Sequence, residues 1–303
     1  MFPSFNSYDI IDVKRQLQTI NSRFKRVSVY SMGTHVSNRH NDWMEANSNC
    51  LVAKASAELN AEAGKKKITI SQGVYQQPNA ELQQIEIERA FQAAQQANET
   101  FPGTVESIIF TNNYFNEDSK GIEVLDMIQD NLDRARRLKL SIGIRTNVGH
   151  HILEQNSPSF GALSCITEIC DIIMCNIYPR ADLARLSFNH AVEDVIDFYW
   201  RLRNGFTNIN PKIQVAIGET GWASEGIMRN GTPTSLSNLK NYWRRLGDWA
   251  SDNRVFLYFF EAIDEPWRGR SFSAESHFGW WIREGDNFIE KTNRFPEGGG
   301  FLM

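Results

Sequence analysis

The sequence predicts an α/β protein of the (β/α)8 TIM-type barrel class, on three observations. Short apolar runs alternate with longer amphipathic segments along the whole chain, several of those runs are apolar without interruption, and no Pro/Gly/Ser-rich linker divides them. Barrels of about 250 residues fold as one domain, so the 303 residues are read as a single barrel domain spanning 1–303. Residues 296–303, which include Pro296-Glu297-Gly298-Gly299-Gly300, are read as a flexible tail.

In chain order, the first helix carries Val13, Leu17, Ile20 and Phe24 at spacings of three and four, a stripe that would face the sheet. The first strand follows at Arg26–Tyr30 and the next at Lys67–Tyr75. Val105–Tyr114 holds Ser107-Ile108-Ile109-Phe110, a run apolar enough for a strand buried on both faces. The fourth helix is predicted with Ile122, Leu125 and Ile128 inward, and a strand at Lys139–Thr146 comes after it. Ile172–Tyr178 opens on Ile172-Ile173-Met174-Cys175, a second doubly buried run, and Lys212–Glu219 and Val255–Ala262 complete the set. A closed barrel needs an eighth strand, and Met1 to Ser7 is short and polar, so a first barrel strand is expected to be short or missing.

Composition removes several classes of function. With 36 acidic against 32 basic side chains and no long Lys/Arg run, nucleic acid is not an expected partner. No apolar stretch is long enough to span a membrane, and Met1 to Asp12 lacks the basic start and apolar core of an export signal. No Gly-rich phosphate loop follows a strand, so no cofactor is implied. Cys50, Cys165, Cys170 and Cys175 match no common zinc spacing and read as buried thiols, with a disulfide among the last three as the other reading. His150 and His151 read as loop residues, not metal ligands. Asn98-Glu99-Thr100 and Asn230-Gly231-Thr232 fit the glycosylation acceptor pattern.

Chemistry in such barrels sits where strands end, so polar residues closing an apolar run carry the information. The strongest case is Val215-Ala216-Ile217-Gly218-Glu219-Thr220-Gly221-Trp222. A carboxylate at that point can attack an anomeric carbon, and Trp222 offers a flat apolar face to a sugar ring. A solvated glutamate beside a core tryptophan is the plainer alternative.

Gly218-Glu219-Thr220-Gly221-Trp222 resembles the nucleophile motif of the family 17 glycoside hydrolases, the β-1,3-glucanases and glucanosyltransferases. Asn176-Ile177-Tyr178-Pro179 resembles the family's sixth-strand motif, Phe260-Glu261-Ala262-Ile263-Asp264-Glu265-Pro266-Trp267-Arg268 its eighth-strand motif, and Glu275-Ser276-His277-Phe278-Gly279 its closing segment. The resemblance implies β-1,3-glucan as substrate, a retaining reaction with Glu219 as nucleophile, no metal or organic cofactor, and an extracellular or cell-wall setting. It also exposes a departure. The family's fourth strand ends in Asn-Glu, the glutamate giving the proton; here Thr111-Asn112-Asn113 puts Asn113 in that place, and an amide has no proton to give.

Asn112 is then expected on the sugar hydroxyl beside the reacting carbon. Asn176 and Tyr178 are expected beside the nucleophile, Glu261 and Glu265 on sugar hydroxyls or on Glu219, and Trp222 and Trp267 as sugar platforms. Glu117 and Asp118 are the nearby acids that would have to stand in for the missing donor. Two functions follow: a slow or impaired β-1,3-glucan hydrolase or transglycosylase, and a catalytically silent β-glucan-binding protein.

Overall fold

The computed structural model describes residues 9–33, 48–268 and 272–294. The expectations for Met1 to Ser7 and for the tail 296–303 lie outside the described residues. Seven parallel strands are hydrogen-bonded in chain order: β1 (Arg26–Ser28), β2 (Thr69–Val74), β3 (Val105–Phe110), β4 (Ser141–Thr146), β5 (Ile172–Asn176), β6 (Gln214–Thr220) and β7 (Leu257–Phe259). Their helices are α1 (Ile10–Asn21), α2 (Val52–Ala63), α3 (Ala80–Thr100), α4 (Asp118–Arg137), α5 (Phe160–Ile169), α6 (Ala181–Leu186), α7 (Phe188–Ile209), α8 (Leu236–Asp252) and α9 (Lys291–Arg294). This is the β/α alternation expected of the barrel class, with every predicted strand found. An antiparallel hairpin of β8 (Trp281–Glu284) and β9 (Asn287–Glu290) was not foreseen.

The chain divides into two compact units, one of Pro3–Cys175 with Leu202–Ala216, the other mainly of Asn176–Arg201 and Ile217–Met303. In the first, Ile108, Ile109 and Phe110 of β3 and Ile142 and Ile144 of β4 are fully buried, as strands covered on both faces must be. Asp9 caps α1 by accepting from the Ile11 and Asp12 amides, and Val13, Leu17 and Ile20 turn inward as predicted. The helix stops at Asn21, so Phe24 sits beyond it. In α4 the buried stripe is Gly121, Val124, Ile128, Asn131 and Ala135, whereas Ile122 is exposed. The reason is Gly121: a β-carbon there would collide with Ala162 of α5, so the two helices approach through the glycine and the stripe starts one residue earlier than predicted.

Arg145 on β4 shows how strongly this unit's sheet curls. Its guanidinium donates to the Ser28 hydroxyl of β1, two strands beyond its neighbour, and lies 4.5 Å from the Tyr30 ring centre. The side chain is buried. Of the cysteines, Cys170 and Cys175 are buried thiols as expected, but Cys50 and Cys165 are exposed, and none of the four is in a disulfide. Cys165 lies on the outer face of α5, whose inward positions are Ala162, Leu163, Ile166 and Thr167. Asn98 uses its side-chain amide on β3, donating to the Val105 carbonyl at 3.0 Å and accepting from its amide at 2.8 Å.

In the second unit, α8 starts at Ser235, whose hydroxyl accepts from the Asn238 amide, and buries Leu239, Tyr242, Trp243 and Leu246. Trp243 stacks on Phe259 of β7 at 4.4 Å and 10° and on Trp280 at 4.9 Å and 24°. Among the described residues no helix is long and apolar enough to cross a membrane, and no group of His, Cys, Asp and Glu has the makings of a metal site. His150 and His151 meet edge to face at 4.5 Å in a short 3-10 turn.

Candidate active site

β6 buries Val215, Ala216 and Ile217, then delivers Glu219 half-buried at its end. Its partner is the extension of β5, where the Ile177 amide donates to the Glu219 carbonyl at 2.9 Å. Alternate residues of a strand share a face, so that one main-chain bond sets Asn176 and Tyr178 together beside the Glu219 side chain. The Tyr178 hydroxyl donates to Oε1 at 2.6 Å and the Asn176 Nδ2 to Oε2 at 3.2 Å. Both oxygens of Glu219 are thus held by donors, which fixes the carboxylate's orientation.

The next residues shape the wall. Thr220 shares a 2.6 Å hydrogen bond with the Tyr242 hydroxyl, whose own pKa burial pushes upward. Gly221 leaves no room for a side chain, because a β-carbon there would overlap the Phe260 carbonyl. Trp222 is buried between Phe188 and Tyr242, at 5.3 and 5.6 Å, and its indole N–H donates to the Pro233 carbonyl at 2.8 Å. Together with Tyr178, Glu219, Arg268, Glu275 and Phe278 it lines a cleft of about 260 Å³, close to the small end of ligand pockets.

Beside the cleft stands a group of acids. Glu261 and Glu265 are neighbouring carboxyls that share Arg268 as their nearest cation. Burial raises both, Glu261 well above the usual glutamate range, with the neighbouring Glu265 adding to the shift. Arg268 approaches Glu265 at 3.4 Å and Glu261 at 3.8 Å, and its guanidinium lies 4.6 Å from the Phe260 ring centre. Asp264 is buried and takes hydrogen bonds from Lys291 and from the Gly279 amide, each at 2.8 Å. Trp267 is 40% exposed and stands outside the cleft lining.

The end of β3 is built differently. Thr111 and Asn113 both take left-handed backbone, at φ 59° and 54°, which asparagine tolerates and a β-branched threonine adopts only at a cost of about 1–2 kcal/mol. The Asn112 amide donates to Gln76 Oε1 at 3.2 Å, and Gln76 Nε2 donates back to the Asn112 carbonyl at 3.4 Å. Asn113 is exposed. Of the two acids that follow, Asp118 is engaged, accepting from the Ala162 amide at 3.0 Å, and Glu117 is exposed with no side-chain bond to the start of α4.

Sequence reasoning picked out Glu219, Asn176, Tyr178 and Trp222, which the second unit brings to one place. It missed Arg268 and Glu275 as cleft residues. Both lie inside the segments that resemble the family's eighth-strand and closing motifs, but neither ends an apolar run. It also gave no role to Lys291.

The model of the BtgE/BtgC glycoside hydrolase domain matches residues 6–279. The glucan 1,3-beta-glucosidase BGL2 of Candida albicans is 23% identical over 173 residues, 54% of this chain and 52% of that protein. The glucan 1,3-beta-glucosidase of Schizosaccharomyces pombe is 25% identical over 123 residues, 39% of this chain and 37% of that protein. The chain thus matches about half or less of these curated relatives' lengths. Among solved structures, an endo-laminarinase from Formosa superposes with a TM-score of 0.72 at 18% identity, covering 93% of this chain and 82% of that one. A family 17 β-1,3-glucanosyltransferase from Rhizomucor miehei gives 0.68 at 15%, covering 93% and 91%, and an active-site mutant of it, in complex with laminaritriose, also gives 0.68 at 15%, covering 95% and 93%. At these identities the likeness establishes a shared fold, the (β/α)8-type barrel class read from the strand pattern.

Proposed function

The chain belongs to the BtgE/BtgC glycoside hydrolase family, and from that membership we propose that it acts on β-1,3-linked glucan by a retaining route with Glu219 as nucleophile. The observation that carries this reading is Glu219 itself, a strand-end carboxylate in the wall of a sugar-sized cleft, held by Tyr178 and Asn176. In the first step a Glu219 oxygen bonds to the anomeric carbon, and the glycosidic oxygen leaves with the rest of the glucan. In the second, water or another glucan hydroxyl releases the bound sugar and restores the carboxylate. Asn112 and the Glu261/Glu265 pair engage sugar hydroxyls, whereas Trp222, packed between Phe188 and Tyr242, backs the cleft wall and Trp267 lies outside the cleft lining.

The departing oxygen needs a proton, and Asn113, in the donor's place, has none. Loss of general acid help costs about 10²–10⁴ in rate, so cleavage of natural glucan is slow. The second reading, a silent glucan-binding protein, draws on the same end of β3, where Asn113 brings no acid and Asp118 accepts a hydrogen bond from the Ala162 amide of α5.

Turnover separates the two. Laminarin and β-glucosyl fluoride are offered to the protein and to Glu219→Gln. Cleavage of the fluoride, which needs no proton donor, that disappears in Glu219→Gln supports the enzyme. Laminarioligosaccharide binding without any cleavage of the fluoride supports the silent binder, and absence of both binding and cleavage sinks the glucan reading.

A further inference from the structure

The geometry points to Lys291 as a positioning residue that holds three segments around the cleft in register, an inference that rests on the glucan reading of that cleft. Lys291 opens α9 and is 2% exposed. Its Nζ donates to Asp264 Oδ1 at 2.8 Å, to Ser224 Oγ at 2.8 Å and to the His277 carbonyl at 3.1 Å. An ammonium has three N–H groups, and these bonds occupy all of them.

Each acceptor belongs to a different stretch of chain that reaches the cleft. Ser224 follows Glu219 and Trp222 out of β6, Asp264 lies between Phe260 and Arg268, and His277 lies between Glu275 and Phe278. Two further bonds tie the stretches to one another: the Ser224 amide to the His277 carbonyl at 2.9 Å, and the Gly279 amide to Asp264 Oδ1 at 2.8 Å. Lys291 is not among the cleft-lining residues, so whatever it does for the sugar it does through these partners.

The charged and titratable groups around it are Asp264, Glu225, Glu261 and His277. Burial works against its charge, and Asp264 works for it. A buried ion pair contributes little to stability compared with apolar packing, whereas three directional bonds from one atom define a geometry.

The test is the pair Lys291→Met and Lys291→Met/Asp264→Asn, measured by thermal melting, laminaritriose calorimetry and amide hydrogen exchange. The single variant leaves Asp264 buried without its counter-charge and is expected to melt early. The double variant removes that charge and keeps an acceptor for the Gly279 amide, so its melting temperature is expected to return towards that of the unaltered protein. Its laminaritriose affinity is nevertheless expected to stay about 10- to 100-fold down, with faster exchange at 220–226, 261–268 and 274–279 and none of that change in β2–β4. A double variant that binds laminaritriose normally and exchanges normally in those segments overturns the proposal and leaves Lys291 a structural ion pair. If the unaltered protein binds no laminaritriose, the glucan reading fails, and exchange alone decides: acceleration in the three segments supports the positioning role and unchanged exchange overturns it.

Discussion

Two strand ends carry the chemistry proposed for this protein, and they are built to different standards. At the end of β6, Glu219 has a donor on each oxygen, its neighbours Thr220 and Trp222 are buried and bonded, and the acids nearby are paired with Arg268 or Lys291. At the end of β3, Asn113 is exposed on left-handed backbone and brings no acid, and beside it Gln76 and Asn112 exchange half-buried hydrogen bonds. A nucleophile has to be aimed, which demands fixed donors; a proton donor has to be an acid. The first requirement is met in detail and the second is not met at Asn113.

The largest effect should come from attacking the finished end. Glu219→Gln is expected to lower cleavage of β-glucosyl fluoride by about 10³-fold or more, because the attacking oxygen is lost while the cleft remains. Steady-state fluoride release checks it, and an unchanged rate would take Glu219 out of the reaction.

Repairing the other end comes next. Asn113→Glu is expected to raise laminarin cleavage by about 10²–10⁴-fold, the usual worth of general acid help, while changing cleavage of the fluoride little. Reducing-sugar assays on both substrates show whether the gain is confined to the leaving group that needs a proton. A glutamate on the left-handed backbone at 113 carries a folding cost of about 1–2 kcal/mol, visible as a lower melting temperature.

A smaller change is expected from Tyr178→Phe, which removes one of the two donors on Glu219. A hydrogen bond to a charged group contributes about 1.5–3 kcal/mol, so the rate on the fluoride should fall by about 10- to 100-fold. If the rate holds, Asn176 alone suffices to aim the carboxylate.

The smallest effect concerns pH. The Glu261 carboxyl is raised in the folded protein, chiefly by burial, so the folded state holds a proton that the unfolded chain has already released. Stability is therefore greatest below the ordinary glutamate pKa and declines as pH rises from there through the raised value. The decline attributable to this one proton is at most about 1.4 kcal/mol per pH unit. Glu261→Gln should flatten the melting curve over that window, and a variant whose melting temperature keeps the same pH dependence would show that the proton is not held at Glu261.

Much of this was legible in the sequence because each signal was local. Uninterrupted apolar runs marked β3 and β5, and a polar residue closing such a run marked Glu219. The alternation that sets Asn176 and Tyr178 on one face could be counted without a structure. What escaped depended on partners distant in sequence. The stripe of α4 was misplaced by one position because only the contact of Gly121 with Ala162 fixes it. Cys50 and Cys165 were read as buried because cysteine usually is, whereas the facing of a short helix is a tertiary matter. The β8–β9 hairpin had a signal, Gly285-Asp286 between alternating segments with Gly285 at φ 58°, but its strands are only four residues each. Lys291 offered none, since its three acceptors lie between 14 and 67 positions away.

The stacked rings of Trp243, Phe259 and Trp280 give the β6 side of the molecule a built-in optical gauge. Two indoles 4.9 Å apart and nearly face to face couple their near-ultraviolet transitions, which disordered tryptophans do not. Circular dichroism in that range therefore reports, without any label, whether Trp280 still sits against α8 when saccharide arrives or when Lys291 is replaced.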